Sequence, residues 1–237
     1  MTWQPELDEL RRRRALAERM GGPEKIRRQH DAGRLTVRER IAALLDRGSF
    51  HETGVLAGTA YDDDGGLASF TAANFVAGTG RIAGRKVVVG GDDFTIRGGA
   101  VDAAIIGEQI YAERLANELR LPLVRLVEGT GGGGSVKMLE QMGHTYVPVN
   151  PGWDHVVDNL SVVPVVAAGL GPVAGLGAAR LCMAHLSILV EGTPGIRRRR
   201  RRPGQPPPAD PPLGLAVRRL GLTAGRGRHR DRLPGRA

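Results

Sequence analysis

Apolar positions in this chain come in short blocks, broken by glycine-rich or charged text. Residues 5–20 predict a helix: a proline near the start, acids in the first turn, and Gly21-Gly22 as the stop. Its stripe of Leu7, Leu10 and Ala17 is thin, and Leu16 falls off it. A second helix is expected at about 23–32. In Leu35-Thr36-Val37-Arg38-Glu39-Arg40-Ile41, Thr36 can cap a helix over 37–45 while Glu39 reaches back, a capping box. Residues 54–75 are rich in Gly, Asp and Ala and read as loop. Strand signals follow at 79–82 and 85–90, with Ala83-Gly84 as the turn between them.

The strongest helical pattern spans 100–119. Val101, Ile105, Ala112, Leu115 and Leu119 share one face, and Ile106 and Ile110 make a second strip, as for a helix packed on two sides. A strand over 122–127 runs into Gly129-Thr-Gly-Gly-Gly-Gly134. Helices are expected at 135–145 and 153–161, then a buried strand at 162–169. A Gly171-Pro-Val-Ala-Gly-Leu-Gly177 loop, a helix at 178–184 and a strand at 186–191 complete the pattern. Repeated strand, glycine loop and helix implies an α/β chain with parallel strands and right-handed crossovers.

Composition narrows the function classes. The single cysteine, Cys182, excludes a disulfide framework and fits a reducing compartment. Residues 1–6 show neither a basic nor an apolar leader, and blocks such as Val162–Leu170 are too short to span a bilayer, so a cytoplasmic protein is expected. The net charge of +9 suggests nucleic acid, but residues 197–237 alone carry 13 Arg and 2 Asp, a net +11, which leaves residues 1–196 at −2. A nucleic-acid fold carries its basic footprint on the folded surface, so neither nucleic acid nor membrane is expected as a partner of the body.

The two glycine loops carry the candidate chemistry. Each follows a buried strand and opens a helix, where glycine lets backbone N–H groups approach a ligand and the helix end adds unpaired donors. That suits an anion, either a phosphate or a developing enolate oxygen in an oxyanion hole. The phosphate-loop pattern fails, because Gly134 is followed by Ser135 and Val136 and Lys137 comes two positions late. Gly129-Thr-Gly131-Gly-Gly-Gly134 does satisfy Gly-x-Gly-x-x-Gly, yet no strand ending in an acid lies about 20 residues on, as a dinucleotide site requires.

Residues 21–52, Gly-Gly-Pro-Glu-Lys-Ile-Arg-Arg-Gln-His-Asp-Ala-Gly-Arg-Leu-Thr-Val-Arg-Glu-Arg-Ile through Phe50-His-Glu52, resemble the entry segment of acyl-CoA carboxylase carboxyltransferase (beta) subunits. The propionyl-, acetyl- and methylcrotonyl-CoA carboxylases belong to that family. Asp92-Asp93-Phe94-Thr95-Ile-Arg-Gly98-Gly99 is similar to its Asp-Phe-Thr-x-x-Gly-Gly, and Gly171-Pro172-Val-Ala174-Gly175 to its Gly-Pro-x-Ala-Gly. The likeness ends at Glu191-Gly-Thr193 and covers about 173 residues of 237.

The resemblance implies an incomplete crotonase-like (ClpP/crotonase) ββα superhelix. It implies an acyl-CoA-binding domain over 53–195 behind a helical segment over 1–52, and residues 196–237 fall outside it as a tail. Backbone N–H groups of Gly131, Gly132, Gly133, Gly134 and Gly175 would hold the thioester carbonyl, and Gly171, Ala174, Gly98, Gly99 and Arg34 would contact the substrate. The implied reaction moves a carboxyl group from carboxybiotin to the α-carbon of an acyl-CoA. Biotin would ride on a separate biotin carboxylase or carrier subunit, with no metal on this one and a homo-oligomer in the intact family. Two departures matter. The family's Asp-Ser-Gly-Gly-Ala-Arg is here Glu128-Gly-Thr-Gly-Gly-Gly-Gly-Ser-Val, which leaves the donor pair open. The second domain, with the biotin side of the site, is missing, so the chain alone is expected to be inactive.

From Gly195 the text changes to six arginines, Arg197–Arg202, and seven of the 15 prolines fall from 197 on. Like charges repel and no core can be built from it, so disorder is the expectation. Arginine codons read one base later give valine and alanine, so the tail reads as out-of-frame translation. Elsewhere, His30 among Gln29, Arg27, Arg28 and Arg34 could meet a CoA phosphate, though a solvated helix face is the commoner role. His144 with Tyr146 could line an acyl pocket, and Cys182, with no partner histidine, is read as packing. A crotonase-type hydratase or hydrolase would need a pocket carboxylate, for which Glu128 and Glu140 are the candidates. A CoA-ester-binding fragment without catalysis is the other alternative.

Overall fold

A computed structural model describes residues 2–63, 66–100, 106–129, 140, 143 and 152–190. Gly131–Gly134, His144, Tyr146, the helix expected at 135–145 apart from residues 140 and 143, and the tail from 191 on lie outside the described residues.

Three helices lead: α1 (Gln4–Glu18), α2 (Pro23–Asp31) and α3 (Val37–Leu44). The Thr36 capping box forms as read: Glu39 N donates to Thr36 Oγ1 (3.4 Å) and Thr36 N donates to Glu39 Oε2 (2.7 Å). Among the described residues eight strands follow: β1 (His51–Thr53), β2 (Gly58–Asp63), β3 (Gly66–Ala72), β4 (Phe75–Ile82), β5 (Arg85–Asp92), β6 (Leu123–Gly129), β7 (Val165–Val173) and β8 (Leu186–Leu189). Helices α4 (Ile106–Leu119), α5 (Trp153–Val162) and α6 (Leu176–Cys182) lie between the later strands. Six strands form one sheet in the order β1-β4-β5-β6-β7-β8, parallel from β5 to β8. β4 and β5 form a hairpin with register Ile82↔Arg85, and Ala83 (φ 49°) and Gly84 (φ 78°) supply the positive φ pair of a twist-matched two-residue turn.

Sequence reading and structure part at three places. Residues 54–75 are not loop: β2 and β3 pair there as a second, two-stranded sheet. Its glycines and aspartates mask the alternation, which pays off through buried Leu67, whose carbonyl accepts from Arg12 of α1. The second glycine loop is shorter than expected, because residues 171–173 still belong to β7 and only Ala174-Gly175 separate it from α6. Among the described side chains of α4 the buried ones are Gln109, Ala112, Glu113 and Ala116, while Leu119 is half exposed, and Val101 and Ile105 lie outside the described residues. Those four have helical spacing, but two of them are polar, so an apolar count misplaces the buried stripe.

The sheet alternates as a two-sided strand layer must. One face packs Phe75, Ala77, Val88, Leu123 and Val165 against Ala112 and Ala116 of α4 and against α5. The other packs Val76, Val89 and Leu126 against Val37 and Ile41 of α3. Each buried aliphatic side chain contributes about 1.5–3 kcal/mol. On β6 this parity puts Arg125 on the α4 face and Glu128 on the α3 face, both fully buried.

Candidate functional site at the ends of the parallel strands

Ligands of open α/β sheets sit at the carboxyl ends of the strands. Here those ends are Asp92, Glu128-Gly129 and Val173-Ala174. Gly129 pairs with Val173, and Ala174 N donates to Gly129 O (3.0 Å), so the roots of the two glycine loops are joined through the backbone. Gly175 caps α6 with φ 58°, ψ −129°.

The turn after β5 approaches the same point. Asp93 Oδ1 accepts from Thr95 N (2.9 Å) and Thr95 Oγ1 (2.6 Å), which bends the chain back, and Thr95 Oγ1 in turn accepts from Gly21 N (2.9 Å). Arg97, Gly98 and Gly99 then take φ of 48°, 64° and 63° in succession. A Cβ on Gly99 would sit 2.4 Å from Glu128 O, so only glycine lets this turn lie on the loop root. Arg97 has a Cβ and pays roughly 1–2 kcal/mol for its left-handed backbone, strain of the kind that clusters at functional sites.

Glu128 is the centre. Arg40 Nη1 lies 2.5 Å from its Oε2, Gln29 Nε2 donates to Oε2 (2.9 Å), and Arg34 Nη1 is 3.5 Å from Oε1. A Cβ on Gly171 would fall 2.2 Å from Oε1, so that glycine makes room for the carboxylate. On the opposite face, Arg125 holds Glu113 by two hydrogen bonds of 2.8 Å, Asn159 donates to Glu113 Oε2 (3.1 Å), and Arg180 Nη1 donates to Asp92 Oδ1 (3.4 Å). Burial pushes the Asp92 carboxyl up, with Arg180 opposing, and burial likewise raises Asp93. Buried charges without partners cost several kcal/mol, which accounts for the pairing.

Of the residues singled out from the sequence, the fold gathers Arg34, Gly98, Gly99, Gly171, Ala174 and Gly175 around Glu128-Gly129. Gln29, Arg40 and Asp92 stood in the motifs without a role of their own, and Glu113, Arg125 and Arg180 were not singled out, though a charge inside the apolar 122–127 strand was a visible signal. Glu128 is locked between arginines rather than presented as a free acid or base, and Glu140 is exposed, so the geometry does not favour a hydratase. His30 Nε2 bonds the Glu39 carboxylate (3.0 Å), and burial pushes the Cys182 thiol up, away from a nucleophile. Among the described residues no group of three or more His, Cys, Asp or Glu could hold a metal, and no helix is long and apolar enough to cross a membrane.

Beside Glu128 a cleft of about 240 Å³ opens between α2 and the turn after β5, lined by Lys25, Arg28, Gln29, Arg34, Phe94, Thr95, Arg97 and Gly98. Among these lining residues none is acidic. Arg34 stacks over the Phe94 ring (5.2 Å), and its buried Nε has no hydrogen-bond partner among the described residues.

Residues 28–196 match the family described as the carboxyl transferase domain. The chain belongs to that family. It is 30% identical over 188 residues to a propionyl-CoA carboxylase beta chain of Cereibacter sphaeroides, which covers 79% of this chain and 36% of that protein. It is 31% identical over 185 residues to a mitochondrial methylcrotonoyl-CoA carboxylase beta chain of Dictyostelium discoideum, covering 74% and 29%. The structure resembles a chain of transcarboxylase 12S, solved as a hexamer assembly with methylmalonyl-coenzyme A and methylmalonic acid, with TM-score 0.64 and 25% identity over 80% of this chain and 36% of that one. The fold is therefore that of the crotonase-like carboxyltransferases. The chain spans about a third of the length of these relatives.

Proposed function

We propose that this carboxyl transferase chain carries the acyl-CoA side of a biotin-dependent acyl-CoA carboxylase. The observation behind this reading is the cationic cleft lined by the turn after β5, whose Gly99 packs on Glu128-Gly129 at the joined roots of the two glycine loops. CoA bears a pyrophosphate and a ribose phosphate at one end and a thioester at the other. Lys25, Arg28 and Arg34 suit the phosphates, Arg by its forked donors and Lys by its point charge. Gly98 lines the cleft and Gly99 packs on the first loop root, so this turn leads from the cleft toward the loops. Donors in Gly131–Gly134 and at Gly175 would then hold the thioester oxygen as the α-carbon loses its proton, the place where charge develops. Carboxybiotin on a separate carrier would be the second substrate: its N–carboxyl bond would break as the new carbon–carbon bond forms, and the freed biotin nitrogen would take up the α-proton. The remaining wall of the site would come from polypeptide corresponding to the rest of the relatives' length.

Calorimetry of the full chain with CoA, acetyl-CoA, propionyl-CoA and longer acyl-CoA tests this. Binding is expected to weaken with added salt, and Lys25→Gln or Arg28→Gln to weaken CoA roughly threefold to tenfold each at low ionic strength. Thioesters should bind more tightly than free CoA. Affinity that ignores both substitutions and salt would remove the cleft as the CoA site.

A further inference from the structure

Asp92 ends β5 and lies beside both loop roots without belonging to either. Its Oδ2 accepts from Glu128 N (3.2 Å), the amide that opens the first glycine loop. Its Oδ1 accepts from Arg180 Nη1 (3.4 Å), on the helix capped by Gly175 of the second loop, and from Gln109 Nε2 (3.4 Å) of α4. Arg180 is itself held. Its guanidinium sits over the Phe75 ring (5.3 Å), its Nε is 4.0 Å from Glu113, and its carbonyl accepts from Arg125 Nη1 (3.0 Å). Arg125 Nη1 also donates to Met183 O, at the far end of the same helix. The Arg180 guanidinium is thus held by Phe75 and Glu113 and its backbone by Arg125, and Asp92 spans between that helix and a strand-end amide.

We infer that Asp92 is a positioning residue that sets the root of the first glycine loop, Glu128-Gly129, at a fixed separation from the helix of the second. The backbone links of Gly129 to Val173 and Ala174 hold the roots at one edge. Two loops joined at one edge can still hinge, and the carboxylate braces the other side. A carboxylate suits this role because it meets donors on both oxygens, and Asp92, Arg180 and Gln109 are all buried, so each depends on the others for its partner. The inference rests on the reading that the two loops share one oxyanion, since only then does their separation matter to about half an ångström.

The test is Asp92→Asn in the full chain. The amide keeps the shape but can accept on one side only, and its NH2 faces a donor on the other. Hydrogen exchange is expected to quicken about tenfold at Glu128–Gly129, at Ala174–Leu176, or at both, with the β4–β5 pairs Ala77–Gly90 and Thr79–Val88 unchanged. In calorimetry the variant should keep its affinity for free CoA within about twofold and lose the preference for thioesters. Arg180→Met is the companion variant, expected to quicken exchange at Ala174–Leu176 while Glu128 stays protected. Unchanged exchange at both loop roots in Asp92→Asn overturns the inference, as does loosening that spreads equally into β4 and β5. Should the wild-type chain bind neither CoA nor thioester, the proposed function fails, while the exchange measurements still decide the role of Asp92.

Discussion

Glu39 shows what one side chain can do with three donors. Its carboxylate accepts from His30 Nε2 (3.0 Å), Thr36 N (2.7 Å) and Thr36 Oγ1 (2.8 Å). The His30 bond, then the Thr36 amide, hold it well below the ordinary carboxylate value of 4.5, at about 2. The folded form therefore gives up its proton more readily than the unfolded chain. The stabilisation is present above pH about 4.5 and is lost as pH falls toward about 2. The group is half exposed, so solvent screening limits the effect to about 0.5–1 kcal/mol. Glu39→Gln should cost that much in urea denaturation at neutral pH and nothing near pH 2. An equal cost at both would contradict the linkage. Thr36 and Glu39 were legible because a capping box is a local spacing. His30 was not, because it reaches Glu39 from another helix and sequence spacing says nothing of how α2 and α3 meet.

At the scale of elements, the same chemistry of glycine means different things in different turns. Gly84 (φ 78°) has open space around a would-be Cβ, whereas Gly99 (φ 63°) has Glu128 O at 2.4 Å. Gly84→Ala should cost only the strain of a left-handed alanine, about 1 kcal/mol. Gly99→Ala adds a backbone clash that pushes the turn after β5 off the loop root, and about 2–4 kcal/mol is expected. Equal losses in parallel thermal or urea unfolding would show that the turn yields freely. The Ala83-Gly84 turn was readable because two strands flank it. That Gly98-Gly99 passes under Glu128 was not, since the contact joins elements about 30 residues apart in the chain. The elements misread, the β2–β3 hairpin and the inward face of α4, share one cause. Both bury or pair polar residues where a hydrophobic pattern expects none.

Across the whole molecule, Glu128 ties the N-terminal helices to the sheet. Arg40 from α3, Gln29 from α2 and Arg34 between them all converge on it, and Arg40 Nη2 adds a bond to Leu170 O (3.3 Å) of β7. The parallel sheet was legible from its strand, glycine loop and helix rhythm. This tie was not, since Gln29 and Glu128 are 99 residues apart and charge pairing leaves no periodic trace. Removing one member strands the others in a dry site. Glu128→Leu or Arg40→Met alone should therefore cost about 3–5 kcal/mol. The double variant should cost much less than the sum, because apolar groups of similar size replace a buried pair at nearly no net loss. Arg34 keeps its charge in that variant but opens onto the cleft, where water or a phosphate can meet it. A double-mutant cycle by urea denaturation reads the coupling directly. Additive losses would mean that α3 is held by its apolar contacts with Val76, Val89 and Leu126 alone, and that the charged centre serves the cleft rather than the fold.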